Sequence, residues 1–146
     1  MAIDETGKWW VGSEVADIGG FLDDYSAEGH KVTDFRISKC ACGSEAFHLL
    51  ADDNEGVAKR ICAACGNEHF ICDSAEYWED AEPETWKCVE CGDDVCNIGV
   101  GFALYNARDA IKWLYVGCRC SKCHILGCFA GWKIAYEPSL QLMDQV

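Results

Sequence analysis

A short device occurs twice in this chain, as Cys62-Ala-Ala-Cys65-Gly66 and as Cys88-Val-Glu-Cys91-Gly92. Two further close pairs stand nearby, Cys40-Ala-Cys42-Gly43 and Cys120-Ser-Lys-Cys123. A Cys-x-x-Cys turn can present two sulfurs to one ion. The glycine that follows can take the positive φ that tightens the turn and aims backbone N–H groups at the thiolates. Cysteine usage is high, at 12 of 146 residues. In an oxidising compartment such usage signals a disulfide framework, and in a reducing one it signals metal. The N-terminal "MAIDETGKWWVGSE" has neither the basic start nor the apolar core of a secretory signal. No apolar run approaches the ~18 residues that suggest a membrane span. A cytoplasmic chain with no membrane association is expected, and with it cysteines that ligate metal.

The cysteine pairs mark an internal repeat. The first half runs from Cys40 and Cys42 through "SEAFHLLA", the turn "DDNEG" and "VAKRI" to Cys62 and Cys65. The second runs from Cys88 and Cys91 through "DDVCNIGVGFALY", the turn "NARDA" and "IKWLYVG" to Cys118, Cys120 and Cys123. Each half reads as a Cys pair, a strand, a five-residue turn, a strand and a Cys pair. Ile98, Val100, Phe102 and Leu104 alternate on one long arm, and Ile111, Trp113 and Tyr115 on the other, as strands with one apolar face require. A further strand follows each half, within "HFICD" at 69–73 and "CFAGWKIAY" at 128–136. Ahead of the repeat, residues 13–28 predict a short helix. Ser13 would cap it and Gly29 would sit left-handed after it. Val15, Ile18, Leu22 and Tyr25 would share its apolar face, and Gly19 and Gly20 weaken it. The fold class expected is small α+β, mainly β, divided into an N-terminal helical segment 1–36, units at 37–73 and 87–137, an acidic linker 74–86 and a tail 138–146.

Two Cys turns at the ends of one hairpin resemble the zinc ribbon family, here in two copies over most of residues 38–136. The resemblance implies two structural Zn2+ sites, each closed by four thiolates. The first would use Cys40, Cys42, Cys62 and Cys65, and the second Cys88, Cys91, Cys120 and Cys123. Rubredoxins hold iron in similar knuckles, so iron is the alternative metal. Cys40-Ala-Cys42 is one residue short of the usual knuckle, Cys118 competes with Cys120, and His124 stands where Gly66 follows Cys65. A cross-braced pairing of the four knuckles is a further alternative, although the repeat favours sites in series. Hairpins this small bury little apolar surface, so metal would supply much of the folding energy.

Cys72, Cys96, Cys118 and Cys128 remain, and small buried hydrophobes are the expected role, with a redox-active pair as the sharper reading. His48 is expected to be structural. No phosphate loop, metalloprotease helix or nucleophile elbow occurs, and a site of four cysteines leaves no open position for catalysis. The formal charge is −13, concentrated in residues 41–87, and it opposes binding to phosphate backbones. Lys59, Arg60, Arg108, Lys112, Arg119 and Lys122 could form only a local basic patch. The function expected is a non-enzymatic protein-interaction module whose partner has a basic surface, with Trp9 and Trp10 as candidate anchors. Nucleic-acid association and a thiol-redox or metal-responsive role are the alternatives.

Overall fold

The computed structural model describes residues 3–105, 110–134 and 139–146. It is mainly β, with one helix and a large antiparallel sheet. A two-stranded ribbon, β1 (Ile3–Asp4) with β2 (Val11–Gly12), precedes the helix α1 (Asp17–Tyr25). Strand β3 (Asp34–Ile37) follows. The first hairpin is β4 (Phe47–Asp52) and β5 (Val57–Cys62), flanked by β6 (Glu68–Phe70). After two 3-10 turns and the short β7 (Glu84–Thr85) comes the second hairpin, β8 (Cys96–Leu104) and β9 (Ile111–Cys120), flanked by β10 (Leu126–Lys133). The tip "NARDA" and the end of the last expected strand fall largely at 106–109 and 135–138, outside the described residues, and so does Arg108.

The two hairpins do not stand apart. Phe47 of β4 pairs with Cys96 of β8, which joins both halves in one sheet of order β10-β9-β8-β4-β5-β6. Strand β3 pairs with β8, and β7 with β4. One buried cluster collects Phe47, Leu49 and Ile71 from the first half with Ile98, Phe102 and Leu114 from the second. The acidic segment is tied down as well. Glu84 and Thr85 pair with β4, Trp86 is buried, and the Ser74 hydroxyl accepts the Ala58 N–H.

Strand β8 is buried on both faces from Cys96 to Ala103, and glycine explains how. Ile98, Val100 and Phe102 face the main core. On the other face Gly99 lies opposite Gly117 of β9, and this bare patch admits Ile18 and Leu22 of α1. A Cβ on Gly117 would lie 2.6 Å from Ile18 Cγ2, and one on Gly99 would collide with Phe35. Full burial of Ile18 and Leu22 contributes roughly 1.5–3 kcal/mol each.

The helix is shorter than its sequence pattern predicts. Ser13 does not cap it; instead the Asp17 carboxylate accepts the Glu14 N–H. Gly29 is not among the residues of positive φ, because the chain leaves α1 through Ser26, whose hydroxyl accepts the Val32 N–H. Tyr25 is exposed. The second arm also differs from simple alternation. Ala103 pairs with Trp113 and Leu104 with Ile111, so Lys112 is a bulge. The extra residue reverses the parity of the strand. Ile111 therefore joins the main core, while Trp113 and Tyr115 pack on the helix side.

Gly117→Val is expected to destabilise the protein by about 1–3 kcal/mol through overpacking beneath α1. Gly127→Ala, whose Cβ would meet nothing nearer than Cys118 Sγ at 3.8 Å, should stay within about 0.5 kcal/mol. Denaturant unfolding of the two variants checks the contrast.

Candidate metal centres

Four knuckles share one backbone design. In each, the residue after the second Cys has positive φ: Gly43 at 96°, Gly66 at 78°, Gly92 at 76° and His124 at 69°. The N–H of that residue donates to the carbonyl of the first Cys, from Gly43 to Cys40 at 2.8 Å, Gly66 to Cys62 at 2.9 Å, Gly92 to Cys88 at 2.9 Å and His124 to Cys120 at 3.0 Å. A second bond closes each loop, from the N–H of the first Cys to a carbonyl beyond the turn: Ser44, Asn67, Asp93 or Ile125. The short Cys40-Ala-Cys42 turn keeps both bonds, so its missing residue tightens the loop without changing its design. A Cβ at Gly43, Gly66 or Gly92 would meet nothing within 4 Å. Backbone dihedral, not space, is what selects glycine at these three positions. The fourth knuckle manages with His124, in a conformation that costs an L-residue about 1 kcal/mol or more.

The knuckles meet in pairs. Cys40, Cys42, Cys62 and Cys65 offer sulfurs within 4.8 Å of one another, and so do Cys88, Cys91, Cys120 and Cys123. The shortest approaches follow the same scheme in both groups. Cys40 lies 3.6 Å from Cys65 and Cys42 3.6 Å from Cys62; Cys88 lies 3.4 Å from Cys123 and Cys91 3.5 Å from Cys120. A tetrahedron with metal–sulfur bonds of about 2.3 Å has sulfur–sulfur edges of about 3.8 Å. Both groups could therefore hold a metal ion. The grouping is in series along the chain and not cross-braced. Cys118 and His124 belong to neither group.

Backbone donors prepare these sulfurs for the thiolate form. The N–H of Cys65, followed by that of Ala64, draws the Cys62 thiol down to about 6. Burial opposes ionisation of Cys88, yet the N–H groups of Cys91 and Glu90 outweigh it and bring that thiol to about 7. Cys40 is lowered chiefly by the Cys42 N–H. The partners across each group move the other way. At Cys65 the Asn67 N–H favours the thiolate, but the Cys40 and Cys62 sulfurs prevail and push it up to about 12. Burial, aided by Cys88 and Cys120, pushes Cys123 up to about 12. Four thiols so close resist losing all their protons, and a bound cation is what would remove that resistance.

The remaining cysteines lie in a different environment. Burial raises Cys72, Cys96 and Cys118, and it pushes Cys128 up to about 12. Cys72 donates to the Leu142 carbonyl and Cys128 to the Ala130 carbonyl. Unionised and held in or against the core, these thiols are poor nucleophiles.

Two arginines of the candidate basic patch, Arg60 and Arg119, are instead buried beside the cysteine groups. Arg60 extends its guanidinium over the Phe47 ring at 4.7 Å and donates to the carbonyls of Val146 and Lys39. Burial lowers its pKa, while the Cys40 and Cys62 thiolates support its charge. Arg119 donates to the carbonyls of Gly12 and Ser13 and to Asn97 Oδ1, and Asn97 donates onward to the Glu45 carbonyl. These bonds lock the N-terminal ribbon and both halves together. Neither guanidinium is available to phosphate, since the two residues are only 6% and 8% exposed. Lys59 is engaged by Glu68 at 2.7 Å and lies over Phe70 and Trp78. His48 contacts the Asp94 carbonyl from the first hairpin, a structural bridge between the halves.

No protein-family model, curated protein or solved structure matches the chain.

Gly66→Ala is expected to cost about 1 kcal/mol of stability through the positive φ, and His124→Gly to give a smaller net gain, because the strain it relieves is partly offset by the greater freedom glycine gives the unfolded chain. Thermal unfolding of the metal-loaded variants, read against the parent, checks both signs.

Proposed function

We propose that the chain is a non-enzymatic protein-interaction module built as a tandem zinc ribbon, with one structural Zn2+ in each group of four cysteines. The observation that carries this reading is the fourfold repetition of one knuckle, which brings eight of the twelve cysteines into two sets of four whose sulfurs lie within 4.8 Å of one another. Cys40, Cys42, Cys62 and Cys65 are the ligands of the first ion, and Cys88, Cys91, Cys120 and Cys123 those of the second. Four thiolates complete the preferred coordination of zinc and leave no position for substrate. Both sites then serve architecture, and function falls to the surface they hold in place.

Charge favours a basic protein partner. Asp53 and Glu55 in the β4–β5 turn are exposed, as are Glu79, Asp80, Glu82 and Glu84 in the segment leading into β7. The Glu82 N–H donates to Asp52 Oδ2, which brings the two acidic stretches side by side. Such a face attracts a cationic surface and repels nucleic acid. The burial of Arg60 and Arg119 removes two of the residues a phosphate-binding patch would need.

Native mass spectrometry of anaerobically purified protein should find two zinc ions per chain. Cys62→Ser and Cys120→Ser should each lower the count to one, and Cys118→Ser should leave it at two. Iron in place of zinc would replace the metal while keeping the ligand set. Retention of two ions by both ligand variants would refute that set. Binding to a captured partner should weaken steeply with added salt, as exposed charge pairs do.

A further inference from the structure

A cleft of about 510 Å3 opens between the N-terminal ribbon, α1, β10 and the third knuckle. Its volume lies within the range of small-molecule sites, about 300–1,000 Å3. Six aromatic rings line it: Trp9, Trp10, Phe21, Tyr25, Trp86 and Phe129. Trp10 meets Phe21 edge-on at 5.9 Å. On the far wall, the buried Trp86 lies against the Cys118 thiol. The chain holds few cations, yet Lys8 and Lys87 both line this cleft and are exposed. Lys8 Nζ stands 5.3 Å from the Trp9 ring centre. Glu90, the nearby carboxylate of the knuckle, accepts the Trp9 indole N–H at 3.1 Å. That bond latches the ribbon to the knuckle and fixes the Glu90 carboxylate on the indole, where its charge offsets only part of the field of the two lysines.

The geometry points to a binding site for a small aromatic carboxylic acid, its ring system seated among the tryptophans and its carboxylate at Lys8 and Lys87. Ring faces and edges favour a planar aromatic body over a flexible chain. Two ammonium groups at the cleft favour an anion there, although the protein as a whole is strongly negative. Attraction from exposed lysines is modest and screened by salt. The aromatic walls therefore supply most of the affinity, and the lysines supply the choice of acid over neutral analogue. This site goes beyond the structural role of the metals, although the third knuckle, which forms one wall, depends on the second cysteine group for its shape.

The test uses 2-naphthoate, with 2-naphthamide as its neutral counterpart, added to full-length protein of measured metal content. Tryptophan fluorescence and calorimetry report binding. The expected result is saturable 1:1 binding of naphthoate, with the amide weaker by about threefold or more. The double variant Lys8→Gln/Lys87→Gln should erase the difference between acid and amide and leave the amide unchanged. Gly127→Val should block both, because Gly127 lines the cleft and a substituent there has room to project, with Cys118 Sγ 3.8 Å away. If Gly127→Val loses metal or unfolds, the lysine variant, altered only on the surface, decides. Absence of saturable binding to metal-loaded parent overturns the proposal. So does equal binding of acid and amide, or naphthoate binding that survives a folded Gly127→Val. Binding of a peptide ending in an aromatic residue where naphthoate fails would assign the cleft to protein recognition, which also overturns it. Loss of metal with retained naphthoate binding would count against the zinc-ribbon reading alone.

Discussion

Four thiols held around one point repel one another as soon as they ionise, and the structure depends on how the backbone answers that repulsion. Each knuckle turns N–H groups toward its sulfurs and closes with two backbone hydrogen bonds. The backbone therefore lowers the cost of the first thiolates, Cys62 and Cys88 among them, and a divalent cation would complete the work. The strands emerge from these knuckles already aimed. Cys62 ends β5 and Cys120 ends β9, so the positions of the sulfurs and the register of the sheet are fixed together.

From that constraint follows the union of the two halves. Phe47 and Cys96, each a few residues after a knuckle, pair across the centre of the sheet. The Arg119–Asn97–Glu45 chain of hydrogen bonds crosses the same boundary. A hairpin of six-residue arms could not bury Leu49 or Ile71 alone; the second hairpin and its flanking strand supply the missing walls. Helix α1 then covers the opposite face, where paired glycines leave room for it.

Much of this was legible because cysteine spacing and β alternation are local signals. The two hairpins lie where alternation places them, the helix forms within its expected span although shorter, and spacing marks the eight cysteines that the fold gathers into two groups. What local patterns cannot show is how repeats join. The repeat reads as units in series, and only the pairing of Phe47 with Cys96 reveals one sheet. The glycines of "NIGVGFALY" look like defects in a strand until Ile18 lies over Gly99 and Gly117. The Lys112 bulge reverses a face that simple alternation assigns differently. Arg119 reads as a surface cation because its acceptors, Gly12, Ser13 and Asn97, are backbone carbonyls and an amide far away in sequence. Even so, the exception at His124 was a usable signal, since the residue after a knuckle must take positive φ whatever its identity.

Titration of the reduced, metal-free chain with Co2+ under anaerobic conditions probes the central claim most directly, because cobalt replaces zinc in tetrahedral sites and its visible spectrum reports both geometry and sulfur ligation. The account predicts saturation at two equivalents, one per cysteine group, with intense tetrahedral d–d bands, thiolate charge-transfer bands, and recovery of β structure as the ion is added. Saturation at one equivalent shared between the halves, or weak octahedral bands without sulfur charge transfer, would contradict it.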